Sequence, residues 1–165
     1  MGSIQDSIGT HFKSSNLGIA SWVLGICIHH DIGAGTLSIE QPQYIKGVLS
    51  CYGMTGCTPV SIPLPANLHF QPTSPDEHTE VSLYPYLEVL GSLTYATMGM
   101  CLDISYAMRS LALYANNFGC IHINGLKHIM RYLAGCPKWG ILYTRGGGGL
   151  IGYTDSDWAS DQTNH

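Results

Sequence analysis

Apolar and polar positions divide the chain into stretches of different period. Trp22–His29 is short and rich in Trp, Val and Ile, which predicts a β-strand. Asp31–Gly35 supplies turn residues, and Thr36–Glu40 then alternates with Leu37 and Ile39 on one side. The two runs together predict a β-hairpin. Gly25 inside the first strand points to a bulge or a close backbone approach. Pro42 suits the first turn of a helix whose Tyr44, Ile45, Val48, Leu49 and Tyr52 form one apolar face, and Gly53 is a natural stop.

Between Thr58 and Pro75 the periodicity disappears. Pro59, Pro63, Pro65, Pro72 and Pro75 exclude regular structure there and suggest an extended linker. A helical period then returns three times. Leu83–Met98 carries Tyr86, Val89, Leu90 and Leu93 on one face. A second helix opens at Asp103, a good N-cap, and carries Ile104, Ala107, Leu111 and Tyr114. A third spans Ile121–Leu133, with Leu126, Ile129, Met130 and Leu133 toward the core and Asn124, Lys127, His128 and Arg131 opposite, a basic stripe. Gly140–Arg145 and Leu150–Asp155 predict a closing strand pair around Gly146–Gly149. A strand follows those glycines, with no Lys-Ser or Lys-Thr, so they read as a turn rather than a phosphate loop. The expected class is α+β: a β-hairpin plus helix, a proline-rich linker, a three-helix segment and a short C-terminal strand pair.

Composition sharpens this picture. A chain of 165 residues with 45% hydrophobic content can bury one core. Its charged fraction of 11% lies well below the ~25% of ordinary soluble domains, so apolar surface that meets a partner is expected. Ile19–Ile28 is too short and too interrupted to span a membrane, and the first residues lack the order of a signal peptide, which suggests an intracellular protein, cytoplasmic or nuclear. The six cysteines form no C-x-x-C pair and read as reduced, mostly buried thiols; zinc bound by Cys51, Cys57 and a histidine is a poor fit. Net charge is −4, yet from Ile104 to Thr154 there is no acid, while Arg109, Lys127, Arg131, Lys138 and Arg145 are all basic. Such asymmetry suggests a surface facing phosphate, set against the simpler reading of a mildly basic solvated face.

One segment has the look of an active-site strand. Leu150–Tyr153 is apolar and runs into Asp155 and Asp157, an arrangement that brings carboxylates to a sheet edge where Mg²⁺ can reach them. A pair of turn-capping aspartates explains the same residues. No G-x-S-x-G elbow or local Cys/His pattern supports a hydrolase.

The motifs in order resemble the copia-type LTR retrotransposon Pol polyprotein, from late reverse transcriptase into RNase H. They are Asn16-Leu-Gly with Trp22–Ile26, Leu37–Gln41 with Tyr44-Ile45, Tyr52–Met54 with Cys57–Val60, and Ile62-Pro63. Tyr86–Tyr95, Asp103–Ala107, Leu126–Leu133 and Ile151–Ala159 complete the set. The resemblance implies the end of a reverse-transcriptase palm over 1–57, the proline-rich linker over 58–82, a helical thumb or connection over 83–139 and the start of an RNase H domain over 140–165. It implies that Trp22 and Gly25 belong to a hairpin that positions the primer strand. Lys127 and Arg131 would then lie along phosphates of an RNA–DNA or DNA duplex. Asp155 matches the first Mg²⁺-binding Asp of RNase H, and Asp157 follows in the same motif.

By the family's order, the polymerase's Tyr-x-Asp-Asp precedes residue 1 and the remaining RNase H acids follow His165. A truncated fragment is therefore expected, with neither active site complete, no independent catalysis and the remainder of a Pol polyprotein as its natural partner. The alternative is a domesticated nucleic-acid-binding module that keeps the basic helix face; a small zinc or thiol protein ranks last. Departures from the family's pattern read as decay: Met100-Cys101-Leu102 for Thr-Arg-Pro, Phe118 for Pro, Ile123 for Trp, and Gly125 for a helix-interior Ala, the last at ~1 kcal/mol of helix propensity.

Overall fold

The computed structural model describes residues 2–13, 15, 18–65, 68–74, 77, 79, 81–99, 101–136 and 140–146. Among the described residues, five α-helices and one four-stranded antiparallel sheet give the expected α+β class. In chain order they are α1 (Gly2–His11), β1 (Trp22–Val23), β2 (Ile26–Asp31), β3 (Thr36–Glu40), α2 (Pro42–Cys51), α3 (Tyr86–Gly99), α4 (Ser105–Ala112), α5 (Cys120–Gly135) and β4 (Gly140–Thr144). A single 3₁₀ turn, Leu102–Ile104, leads into α4. Among the described helices, α1 is the one that the sequence pattern does not predict; it exposes Ile4 and Ile8, one helical turn apart.

The strand expected over Trp22–His29 is two strands. Leu24 and Gly25 adopt φ of 51° and 79°, and Val23 pairs directly with Ile26. Two left-handed residues between paired strands make the tight turn whose twist matches that of the flanking strands. Gly25 therefore serves the turn: a Cβ there meets nothing within 4 Å, so no close approach explains it. The β2–β3 hairpin is as expected, with Asp31 opposite Thr36 and Cys27 opposite Glu40.

Gly140–Thr144 was expected to pair with Leu150–Asp155. Among the described residues it pairs with β3, with Glu40 opposite Gly140 and Thr36 opposite Thr144. The strand that follows β2 would otherwise leave a row of unpaired backbone groups at the sheet edge, and β4 satisfies them. Leu150–Asp155 lies outside the described residues.

One hydrophobic cluster joins both sides of the proline-rich passage. Ile45 and Leu49 of α2 pack with Val89 and Leu93 of α3, Leu111 of α4, and Leu126, Ile129, Met130 and Leu133 of α5. Asp103 does not cap α4, whose N-cap is Ile104 with no side-chain bond. The Asp103 carboxylate accepts the hydroxyl of Tyr132 on α5 instead. Tyr132 is buried, and a buried phenol needs an acceptor, so the helix–helix bond outcompetes the cap. Burial and this carboxylate together push the Tyr132 phenol upward. Two cysteines, Cys101 and Cys136, are buried; Cys27 and Cys57 are half-buried, and Cys51 and Cys120 exposed, so the expectation of mostly buried thiols holds for only part of the set. Burial pushes the Cys101 thiol up to about 11.

The proline-rich passage has no helix or strand over 58–65 and 68–74, as expected. It is nevertheless a strap bound to the helices. Val60, Leu64 and Phe70 pack against the core. The carbonyl of Phe70 accepts the Tyr114 hydroxyl at 2.9 Å, and that of Thr73 accepts the Asn117 amide at 3.1 Å. Phe118 and Ile123, read as decay, are core residues; Phe118 stacks on Tyr86 with centroids 4.4 Å apart and ring planes 5° from parallel.

Gly125 has a similar reason. A Cβ there would stand 2.9 Å from the Phe70 ring and 3.0 Å from Leu111. Gly125→Ala gains ~1 kcal/mol of helix propensity but overpacks the site, at ~1–3 kcal/mol. The expected outcome in denaturant unfolding is no stabilisation, and a gain of stability once Phe70 is also shortened to Leu.

His122 lies beneath the same strap. It stacks between Phe70 and Tyr114, with centroids 5.4 Å and 4.3 Å away. Its Nδ1 accepts the Gly119 backbone N–H at 2.9 Å and faces the Thr73 hydroxyl at 3.4 Å. A proton on Nδ1 would confront that N–H. Burial lowers the His122 pKa, with Glu77 opposing in part. The neutral ring is the folded form, so its contribution is full above the unfolded value of 6.5 and is lost as pH falls through the depressed folded value. Urea titrations at pH 7.5 and pH 5 should show an acid-induced loss of stability that His122→Gln removes; an equal loss in both proteins would refute this assignment.

Candidate nucleic-acid interface

The tip of the β1–β2 hairpin is the most exposed apolar feature of the sheet. Leu24 is 80% exposed and Trp22 48%. A tip built on a non-glycine residue at positive φ has to be held there by its surroundings. Tyr95 on α3 does this, donating its hydroxyl to the Leu24 carbonyl at 2.6 Å. Its ring packs edge-to-face with that of Tyr44 on α2, centroids 4.9 Å apart, and the Tyr44 hydroxyl donates to the Ser92 carbonyl at 2.9 Å. A chain of aromatic contacts thus fixes an exposed backbone turn to two packed helices. Trp22 and Gly25 stand out in the sequence; Tyr95 does not, because its only local signal is its place in a helix.

The basic stripe of α5 is divided. Asn124 and Lys127 are exposed, while His128 and Arg131 are half-buried under the strap. Arg131 donates its Nε–H to the Thr58 carbonyl at 2.7 Å, and His128 Nε2 stands 3.1 Å from the Ile62 carbonyl. Lys127 Nζ lies 5.8 Å from the Tyr84 ring centroid, within reach of a cation–π contact, with its charge open to solvent. One cation of the stripe is therefore presented outward, and another is engaged by the chain itself.

Asp155 and Asp157 lie outside the described residues, as does Lys138. Among the described residues, the side chains with metal-ligating atoms brought together are Cys27, His29 and Glu40 on the sheet. Cys51 and Cys57 are not among them. No helix among the described residues is long and apolar enough to cross a membrane.

The comparisons with known proteins agree with the ordered motifs. The chain is 31% identical to the retrovirus-related Pol polyprotein from transposon TNT 1-94 of Nicotiana tabacum, over 98% of its own length and 12% of that protein. Two Arabidopsis thaliana relatives, the retrovirus-related Pol polyproteins from transposons RE1 and RE2, are 32% and 35% identical over 78% and 76% of the chain, and 9% and 8% of their own lengths. No family model and no solved structure matches the chain. The chain belongs to the retrovirus-related Pol polyproteins of transposons, of which it matches a short segment, and the matches are consistent with the copia type.

The unequal roles of the two cations have a measurable consequence. Arg131→Ala removes a charge-assisted bond that fastens the strap and should destabilise the fold by about 1 kcal/mol in chemical denaturation. Lys127→Ala should leave stability within ~0.5 kcal/mol of the parent. Equal effects would contradict this division of labour.

Proposed function

We propose that the chain is a nucleic-acid-holding segment of a retrotransposon reverse transcriptase, one that grips a template–primer duplex and does no chemistry of its own. The hairpin tip fixed by Tyr95 carries this reading. An exposed, rigid turn with Trp22 beside it is suited to lie against sugar and base edges, and its rigidity avoids the cost of ordering a loop on contact. Lys127 adds a phosphate contact without sequence readout, and the acid-free stretch from Ile104 to Thr154 keeps like charge away from the duplex. The family's Mg²⁺ chemistry, at Asp155 and Asp157 and in the polymerase palm, enters no step here.

The alternative reading, a self-sufficient binding module centred on the α5 stripe, has less support because Arg131 is engaged by Thr58. The two readings part in a salt titration of binding to an RNA–DNA hybrid, followed by fluorescence anisotropy. In the proposed function affinity falls with salt, Lys127→Ala flattens the log–log slope by about one contact, and Tyr95→Phe weakens binding several-fold with an unchanged fold. In the module reading Lys127→Ala plus Arg131→Ala removes most of the affinity and Tyr95→Phe changes nothing. Absence of hybrid binding at low salt would refute both.

A further inference from the structure

The sheet carries a cluster that duplex binding does not use. Cys27 and His29 stand two residues apart on β2 and so project from one face, opposite to that of Ile26, which packs on the core. Glu40 is the direct cross-strand partner of Cys27 and projects from the same face. Cys27 Sγ lies 3.3 Å from His29 Nε2, and the same Nε2 lies 3.1 Å from Glu40 Oε1. The ligand atoms of all three residues lie within 4.8 Å of one another.

Hydrogen bonding alone serves this arrangement badly. Nε2 carries either one proton or one lone pair. If it donates to Glu40, the sulfur of Cys27 faces a hydrogen already committed; if it accepts from the thiol, it turns a lone pair toward a carboxylate. A single cation among the three atoms satisfies them together. Tetrahedral zinc holds sulfur at ~2.3 Å and nitrogen or oxygen at ~2.0–2.2 Å, which sets neighbouring ligand atoms about 3.3–3.6 Å apart. Two of the three pairs, at 3.3 Å and 3.1 Å, need to open by only a few tenths of an ångström, and the third, Cys27 to Glu40, lies within 4.8 Å and closes by side-chain rotation. Thiolate and imidazole select a borderline metal, while Mg²⁺ prefers a shell of oxygens.

We propose that Cys27, His29 and Glu40 form a three-ligand zinc site that ties β2 to β3. His29 is exposed, so the fourth position opens to solvent and takes water or a ligand from an incoming molecule. On binding, the Cys27 thiol proton leaves to solvent and the thiolate bonds the metal. The tie adds to the stability of the hairpin by mass action.

Titration of the reduced, intact chain with Co²⁺ followed by Zn²⁺ tests the site. One equivalent of Co²⁺ should give a sulfur-to-metal absorption band and the intense visible bands of a tetrahedral ion, both displaced by Zn²⁺. Cys27→Ser should abolish the sulfur band, and His29→Asn and Glu40→Gln should each weaken Zn²⁺ binding at least about tenfold. The two surface variants are checked by circular dichroism and keep the test valid if Cys27→Ser fails to fold. Cys51→Ser should keep the spectrum of the parent. No sulfur band, a band that persists in Cys27→Ser, or unchanged affinity in folded His29→Asn and Glu40→Gln would each overturn the proposal.

Discussion

Burial of α5 on two sides at once is the constraint on which the rest of the fold depends. Leu126, Ile129 and Met130 are completely buried against the other helices, and burial of each such side chain contributes ~1.5–3 kcal/mol. The other flank carries Gly125 and His122, which lie under Phe70 and Thr73 of the strap. A helix covered this way cannot move without disturbing both the core and the strap. Its end leads the chain back to β4, which pairs with β3. One helix therefore sets where the sheet closes and where the proline-rich passage lies.

That arrangement decides which polar groups of α5 the strap engages and which it leaves at the surface. The strap takes up Arg131 and His128, and Lys127 stays free to act as a positive charge in solvent. The hairpin tip is free for a different reason. Its backbone needs left-handed residues, and Tyr95 fixes it from below while leaving Leu24 and Trp22 outward. In the proposed function the apolar tip and Lys127 are the groups that meet the duplex.

The helices α2 to α5 were legible in the sequence, since their apolar positions recur at helical spacing and bury against one another. The β2–β3 hairpin was legible from Leu37 and Ile39 alternating after a turn-rich segment. The Leu24–Gly25 turn was not, because an exposed leucine inside an apolar run looks like strand. The pairing of β3 with β4 was hidden for another reason: about a hundred residues separate the partners, and no local pattern specifies a distant sheet edge. Prolines announced the strap's lack of regular structure but not its attachment, which runs through backbone carbonyls of Thr58, Ile62, Phe70 and Thr73. Of the expected site, Trp22 and Lys127 are exposed and Gly25 is half-buried in the turn. Arg131 is turned to a structural use that its residue type could not reveal, and Asp155 and Asp157 fall outside the described residues.

The holding role of the hairpin tip is tested most directly by ultraviolet cross-linking of the intact chain to an RNA–DNA hybrid, with the attachment sites read by mass spectrometry. Adducts concentrated on Trp22–Gly25 and Lys127, with Arg131 unmodified, are the result this account requires. A hybrid that binds yet cross-links along Asn124–Arg131 and leaves Trp22–Gly25 untouched would contradict it.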